Sequence, residues 1–177
     1  MAYELISSER AFQGRFVSVD RDTIALPDGQ TAIREVVRRG EAAVIIPVDR
    51  GGRLLFVRQY RHPCRGMSLE LPAGVLEPGE DPLVCAAREL EEETGMRAGK
   101  IRQLCRFYTT IGFCDEVIHL FLAEELTDGR AHPDADEFLT HESYTLGEAL
   151  ALIDRGEIIN GPSMIGVLQY DRITQQR

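Results

Sequence analysis

One stretch, GVLEPGEDPLVCAARELEEETGM from Gly74 to Met96, constrains this chain more than any other. Pro78 and Gly79 punctuate a turn, and Asp81-Pro82 opens the element that follows. Asp81 suits an N-cap, where a carboxylate accepts an orphan backbone N–H. Pro82 suits the first helical position, where its missing N–H costs nothing. The pattern predicts a helix over 83–94, stopped by Gly95 in the left-handed conformation. Leu83, Ala87 and Leu90 recur at steps of four and three and predict its apolar stripe. Glu92 and Glu93 follow Glu89 at steps of three and four and predict a second, acidic face.

Like charges at such spacings repel by roughly 0.2–0.5 kcal/mol per pair on an exposed helix. Arg88 can offset part of that by pairing with Glu92 one turn on. A divalent cation would relieve the rest, because hard cations such as Mg²⁺ take carboxylate oxygens and bridge them to phosphates. ELEEE alone reads equally well as a solvated helix face. The surrounding residues argue otherwise. Gly74, Glu80, Arg88, Glu89, Leu90, Glu92, Glu93, Gly95 and Met96 fill every defined position of Gly-x5-Glu-x7-Arg-Glu-U-x-Glu-Glu-x-Gly-U, with U apolar. The stretch therefore resembles the Nudix box. That resemblance implies a metal-dependent pyrophosphatase acting on a nucleoside diphosphate linked to a further group, with Mg²⁺ as cofactor and Mn²⁺ as the alternative.

The rest of the chain is consistent with such an enzyme. Its 177 residues suit one domain with a sizeable core and a small appended element. A net charge of −9 without any Lys/Arg block argues against nucleic acid or a membrane surface as partner. Cys64, Cys85, Cys105 and Cys114 form no Cys-x-x-Cys pair, and the histidines show no zinc-like spacing, so reduced structural thiols are expected. No charged-then-apolar leader or membrane-length apolar run is seen, and a cytoplasmic protein is expected.

Short β-like runs at 3–12, 16–26 and 31–39, with a turn at Pro27-Asp28-Gly29, predict a small antiparallel unit. Buried strands are expected at 42–48 and 53–60 around a turn at 49–52, and further strands at 101–108, 117–123 and 137–144. Helices are expected at 146–155 and 163–172. The fold class is α/β (α+β): a Nudix-type α/β/α sandwich with a mixed sheet, preceded by the antiparallel β unit. Domains are expected at 1–40, for dimerisation, and at 41–177, for hydrolysis.

The N-terminal strands, RRGEAAVIIPVD, VRQYRHP and LELPAG together resemble ADP-ribose and related nucleoside diphosphate sugar pyrophosphatases. The resemblance implies a homodimer paired through its N-terminal strands, and a nucleoside diphosphate sugar as substrate. It implies metal ligation by the Ala73 carbonyl, Glu89, Glu92 and Glu93, with Glu80 in support and Arg88 orienting a box glutamate. Arg39 and Arg61 match the arginines that contact phosphate or sugar, and Glu70 is a substrate contact or a supporting group. Each of these three reads equally as a surface ion pair.

A further carboxylate is expected as catalytic base, on HPDADEFLTHE. Glu137 matches best, with Asp136 and Glu142 as alternatives. Beyond the box, TTIGFCDE fits a loop pattern of the subfamily but carries Ile111 where proline is usual, which leaves the sugar open. Phe113 and Tyr108 are candidates for stacking on a base, although aromatics are more often buried. GDP-mannose or a dinucleoside polyphosphate is the alternative substrate. A non-catalytic nucleotide-sugar sensor is the reading from another class, and the intact box carboxylates weigh against it.

Overall fold

The computed structural model describes residues 2–132 and 138–176. The backbone divides into two compact units, residues 1–41 with 107–117, and residues 42–106 with 118–177.

In the first unit β1 (Glu4–Gln13), β2 (Ser18–Ala25) and β3 (Thr31–Arg38) form an antiparallel sheet in that order. The β2–β3 register, from Ser18 opposite Arg38 to Ala25 opposite Thr31, is set by the turn between them. There Leu26 N–H donates to Gln30 O, Asp28 Oδ1 accepts the Gln30 N–H, and Gly29 takes a φ of 86° that favours glycine. β1 is the edge strand, and it is exposed along its whole length.

The second unit is layered. β7 (Ala73–Val75), β4 (Glu41–Pro47), β9 (Val117–Asp128) and β8 (Met96–Tyr108) form a four-stranded sheet in that order. Side chains alternate across it, as strand geometry requires. Ala43 and Ile45 of β4 join Phe121 and Ala123 of β9 against Cys85, Ala86 and Leu90 of helix α1 (Pro82–Thr94). Ile46 and Leu120 face the opposite way, toward Gly166 of helix α3 (Gly161–Thr174), where a Cβ would meet Leu71, Ile46 and Leu120. Helix α2 (Leu146–Asp154) packs on α3 and on β10 (Thr140–Tyr144). β10 pairs with β5 (Leu54–Arg61), which pairs with β6 (Gly66–Glu70). The layers are those of the expected α/β/α sandwich. Leu90 is fully buried between helix and sheet, and truncating such a leucine to alanine costs about 2–5 kcal/mol.

The strands flanking the 49–52 turn, β4 and β5, lie in different sheets and meet at the bridge of Val48 to Leu54. Two expectations need correction. β8 begins at Met96 and β9 runs on to Asp128, because β8 is a half-exposed edge strand whose polar positions hide its continuity. The buried stripe of α1 is Cys85, Ala86, Leu90 and Glu93, whereas Leu83 is exposed. Apolar spacing placed the stripe wrongly because one of the buried residues is a carboxylate.

Candidate active site

Helix α1 starts and stops as its sequence dictates. Asp81 Oδ1 accepts the Leu83 N–H at 2.8 Å, and Gly95 closes the helix at a φ of 70°. Between these ends Arg88 is a hub for three carboxylates. Its Nε and Nη2 donate to the two Glu80 oxygens at 2.9 Å each, and its Nη1 donates to Glu89 (2.6 Å) and Glu92 (2.9 Å). Glu80 lies before the helix and is fixed further by the Glu77 N–H at 2.9 Å. The Arg88 guanidinium holds the Glu80 carboxyl down to about 2, and its acidic neighbours, Glu80 first, raise the arginine's own pKa. Such charge-assisted, forked hydrogen bonds fix orientation as well as charge.

The remaining box residues meet the turn before the helix. β7 lies antiparallel to β4, with Gly74 opposite Ala43. The Glu89 carboxylate lies over Gly74, where a Cβ would fall 1.8 Å from it, so only glycine admits that side chain. Glu93 is buried and accepts the Ala73 N–H at 3.1 Å. Cys85 packs beneath: its thiol donates to the Gly74 carbonyl at 3.7 Å and receives Arg88 Nη2 at 3.5 Å. Burial pushes that thiol up to about 12, which leaves it protonated and structural.

Glu89 and Glu93 therefore meet the turn at Gly74 and Ala73, and Glu92 is tied to Glu89 through Arg88. Among the described residues no three Asp, Glu, His or Cys side chains converge to hold a metal ion. The carboxylates instead direct oxygens to Arg88 and to the Ala73 N–H. The residues nevertheless fit a hard divalent cation. The donors are all oxygen, and the glycine cradle leaves Glu89 space beside the turn. A bound cation would take over charge that the guanidinium now neutralises.

Two histidines join the site without having been singled out. The His132 N–H donates to Glu92 O at 3.0 Å, its Nδ1 donates to Arg130 O at 2.7 Å, and its Nε2 stands 3.7 Å from Glu92 Oε1. His141 Nε2 donates to Glu93 O at 2.6 Å. Both occur in HPDADEFLTHE, read only for its carboxylates, and each holds a carbonyl that the helix end leaves open. Glu137 and Asp136 lie outside the described residues. Glu142 is engaged on β10 by Arg58 and by the Tyr144 hydroxyl, and these bonds hold its pKa below the usual carboxylate range.

Arg61 and Glu70, expected separately, bind each other: Nε and Nη2 of Arg61 reach the buried Glu70 carboxylate at 3.1 and 2.8 Å across the β5–β6 pair. Arg39 and Phe113 belong to the first unit. Arg39 Nε stands 3.7 Å from Glu116, and Phe113 is exposed on the 109–116 loop.

Known proteins resemble this chain along most of its length. The NUDIX domain matches residues 38–164, and the nucleoside diphosphate sugar hydrolase N-terminal domain matches residues 3–37. A methanol dehydrogenase activator of Bacillus methanolicus is 42% identical over 93% of this chain and 90% of its own. An ADP-ribose pyrophosphatase of Bacillus subtilis is 38% identical over the same shares. The crystal structure of an ADP compounds hydrolase superposes with a TM-score of 0.90 at 19% identity, covering 99% of this chain and 96% of the other, and shows the shared fold.

Proposed function

Because the chain belongs to the NUDIX family, we propose that it hydrolyses the diphosphate linkage of ADP-ribose or a related nucleoside diphosphate sugar. The products would be a nucleoside monophosphate and a sugar phosphate. The carrying observation is that Glu89 and Glu93 meet the Ala73-Gly74 turn while Arg88 holds Glu89 together with Glu92. The identity with an ADP-ribose pyrophosphatase supports the substrate class. GDP-mannose and dinucleoside polyphosphates are the alternatives within it.

Glu89, Glu92, Glu93 and the Ala73 carbonyl would hold the divalent cation, Mg²⁺ or Mn²⁺. When bound, that cation neutralises phosphate charge and makes water a better nucleophile near neutral pH. Arg88 and Glu80 keep the box carboxylates oriented before it arrives. Arg39 and Arg61 contact the diphosphate or sugar, with Glu70 holding Arg61 in place. Phe113 stacks on the base. Glu137 accepts the proton of the attacking water, a role typically worth about 10²–10⁴-fold in rate. Supporting it, the described residues on either side of its segment, His132 and His141, are tied to the backbone of Glu92 and Glu93.

Residues 1–40 are assigned to dimerisation and 41–177 to hydrolysis. Leu5, Ile6 and Phe12 are exposed on the edge strand β1, a surface that another copy of the chain would cover. Among the described residues no helix is long and apolar enough to cross a membrane, and the cytoplasm is the proposed location.

The test is incubation with Mg²⁺ and ADP-ribose, GDP-mannose, UDP-glucose, diadenosine polyphosphates and nucleoside triphosphates, with products resolved by chromatography and Glu93→Gln as control. AMP from ADP-ribose with wild type alone is expected. Turnover of none of them would overturn the hydrolase reading. The Bacillus methanolicus relative, named as a dehydrogenase activator, favours a second reading, regulation of a partner enzyme. Stimulation of a dehydrogenase that persists in Glu93→Gln would support it.

A further inference from the structure

In the first unit, residues 109–116 form a loop that is bridged to β3 at one point. Val37 N–H donates to Phe113 O at 2.7 Å and Asp115 N–H donates to Val37 O at 3.1 Å, making a parallel bridge between Val37 and Cys114. Thr109 N–H donates to Glu116 O at 3.2 Å, and Thr110 O accepts the N–H groups of Phe113 and Cys114. These bonds fix the backbone on one side only.

Asp115 adds a second attachment. Its Oδ1 accepts the Arg39 N–H at 2.9 Å, and its Oδ2 faces Arg38 Nη1 at 3.4 Å. Arg38 is itself held from β2, by Asp20 at 2.9 Å and by Asp22 at 3.1 Å, and both aspartates are buried. Arg10 of β1 bonds Asp20 from the far side. A run of charge-assisted bonds thus crosses the sheet from β1 to the loop, and its last link is Asp115.

The loop and the end of β8 carry side chains that ordinary packing would have buried. Tyr108 and Phe113 are each 56% exposed and Ile111 is 81% exposed. With Arg34, Glu35 and Asp115 they line a cavity of about 500 Å³, within the range of small-molecule sites. The rings and Ile111 suit a planar heterocycle, and Arg34 sets a cation beside the carboxylates of Glu35 and Asp115.

We propose that Asp115 is a positioning residue that locks the 109–116 loop onto β3, so that Phe113 and Tyr108 present their rings to the nucleobase of the substrate. The inference rests on the reading above that Phe113 contacts the base. Specificity for the nucleoside end then resides in the N-terminal unit, and its support reaches back to β1.

Steady-state kinetics of the full chain with Mg²⁺ and ADP-ribose test this, using Asp115→Ala, Asp115→Asn, Phe113→Ala and the Asp115→Ala/Phe113→Ala double variant. Losing one stacking ring should raise KM about tenfold. Asp115→Ala should raise KM by a similar factor with kcat within about twofold, the signature of lost binding rather than lost chemistry. Asp115→Asn keeps an acceptor for the Arg39 N–H and should restore most of the KM. The double variant should be no worse than Phe113→Ala, because Asp115 acts through the ring. Raised KM in Phe113→Ala with unchanged KM in Asp115→Ala overturns the positioning role alone, as does a fall in kcat and melting temperature at constant KM. Unchanged KM in Phe113→Ala removes the base contact and both readings with it. Reduced molar mass of Phe113→Ala in light scattering would assign the ring to an interface between copies, and equally overturns the proposal.

Discussion

Two arginines organise the polar structure of this protein, one in each unit, and each is shared by three carboxylates. Arg88 holds Glu80, Glu89 and Glu92, all within eight residues of itself in the chain. Arg38 holds Asp20 and Asp22 on the neighbouring strand and Asp115 on a loop 77 residues away. The chemistry is the same and the purposes differ. Around Arg88 the carboxylates belong to the proposed metal site, so the guanidinium is a counter-charge that a cation can partly replace. Around Arg38 two of the aspartates are buried within the sheet, and the cluster joins strands to a loop. A shared arginine therefore marks a reactive site only where its carboxylates can also turn to another cation.

The largest expected effect separates the hubs by activity. Glu93→Gln should keep the Ala73 N–H bond through its amide oxygen and so retain the fold by circular dichroism. Its kcat should fall about 10²–10³-fold, the scale of losing one electrostatic contributor at a reacting centre. Gly74→Ala comes next: its Cβ would displace the Glu89 carboxylate, and activity or Mg²⁺ affinity should fall about 10–100-fold, as when a ligand's support is lost.

The third prediction asks whether a cation can stand in for each arginine. Arg88→Met leaves Glu80, Glu89 and Glu92 facing one another and should cost about 2 kcal/mol, less than a fully buried pair because the hub is partly solvated. Mg²⁺ should recover part of that loss, and should raise the melting temperature of Arg88→Met more than that of wild type. Arg38→Met should show no such recovery. Equal recovery in both variants would erase the distinction between the hubs. In ADP-ribose kinetics Arg38→Met should raise KM about threefold and leave kcat alone, because it loosens the loop without touching the carboxylates of α1.

The smallest effect concerns acid. Glu80 has its folded pKa lowered from 4.5 to about 2, chiefly by Arg88. A lowered carboxylate pKa gives stability that is present above 4.5 and is lost as pH falls from there toward 2. Melting temperature against pH over that window should therefore fall less steeply in Glu80→Gln than in wild type. An unchanged slope would show that the Glu80–Arg88 pair is already broken in acid.

The two hubs also mark how far the sequence could be read. The caps of α1, its length and the grouping of Glu89, Glu92 and Glu93 follow from spacing, because a helix turns fixed separations into fixed neighbours. The sandwich was legible for the same reason, through hydrophobic runs that bury and turns that interrupt them. The buried face of α1 was not, since Glu93 occupies a place that periodicity reserves for apolar residues. Nor was the mutual pairing of Arg61 with Glu70, which depends on the β5–β6 register, or the bonds of His132 and His141 to the end of α1.

Sequence alone determined the chemistry of the box, because its residues are neighbours along one helix and the turn before it. Only the tertiary structure decided that Asp20, Asp22 and Asp115 share Arg38, and that the 109–116 loop is bridged to β3. Strand pairing joins residues at separations that no local period encodes. Those partners are chosen by register and burial, which exist only once the chain has folded.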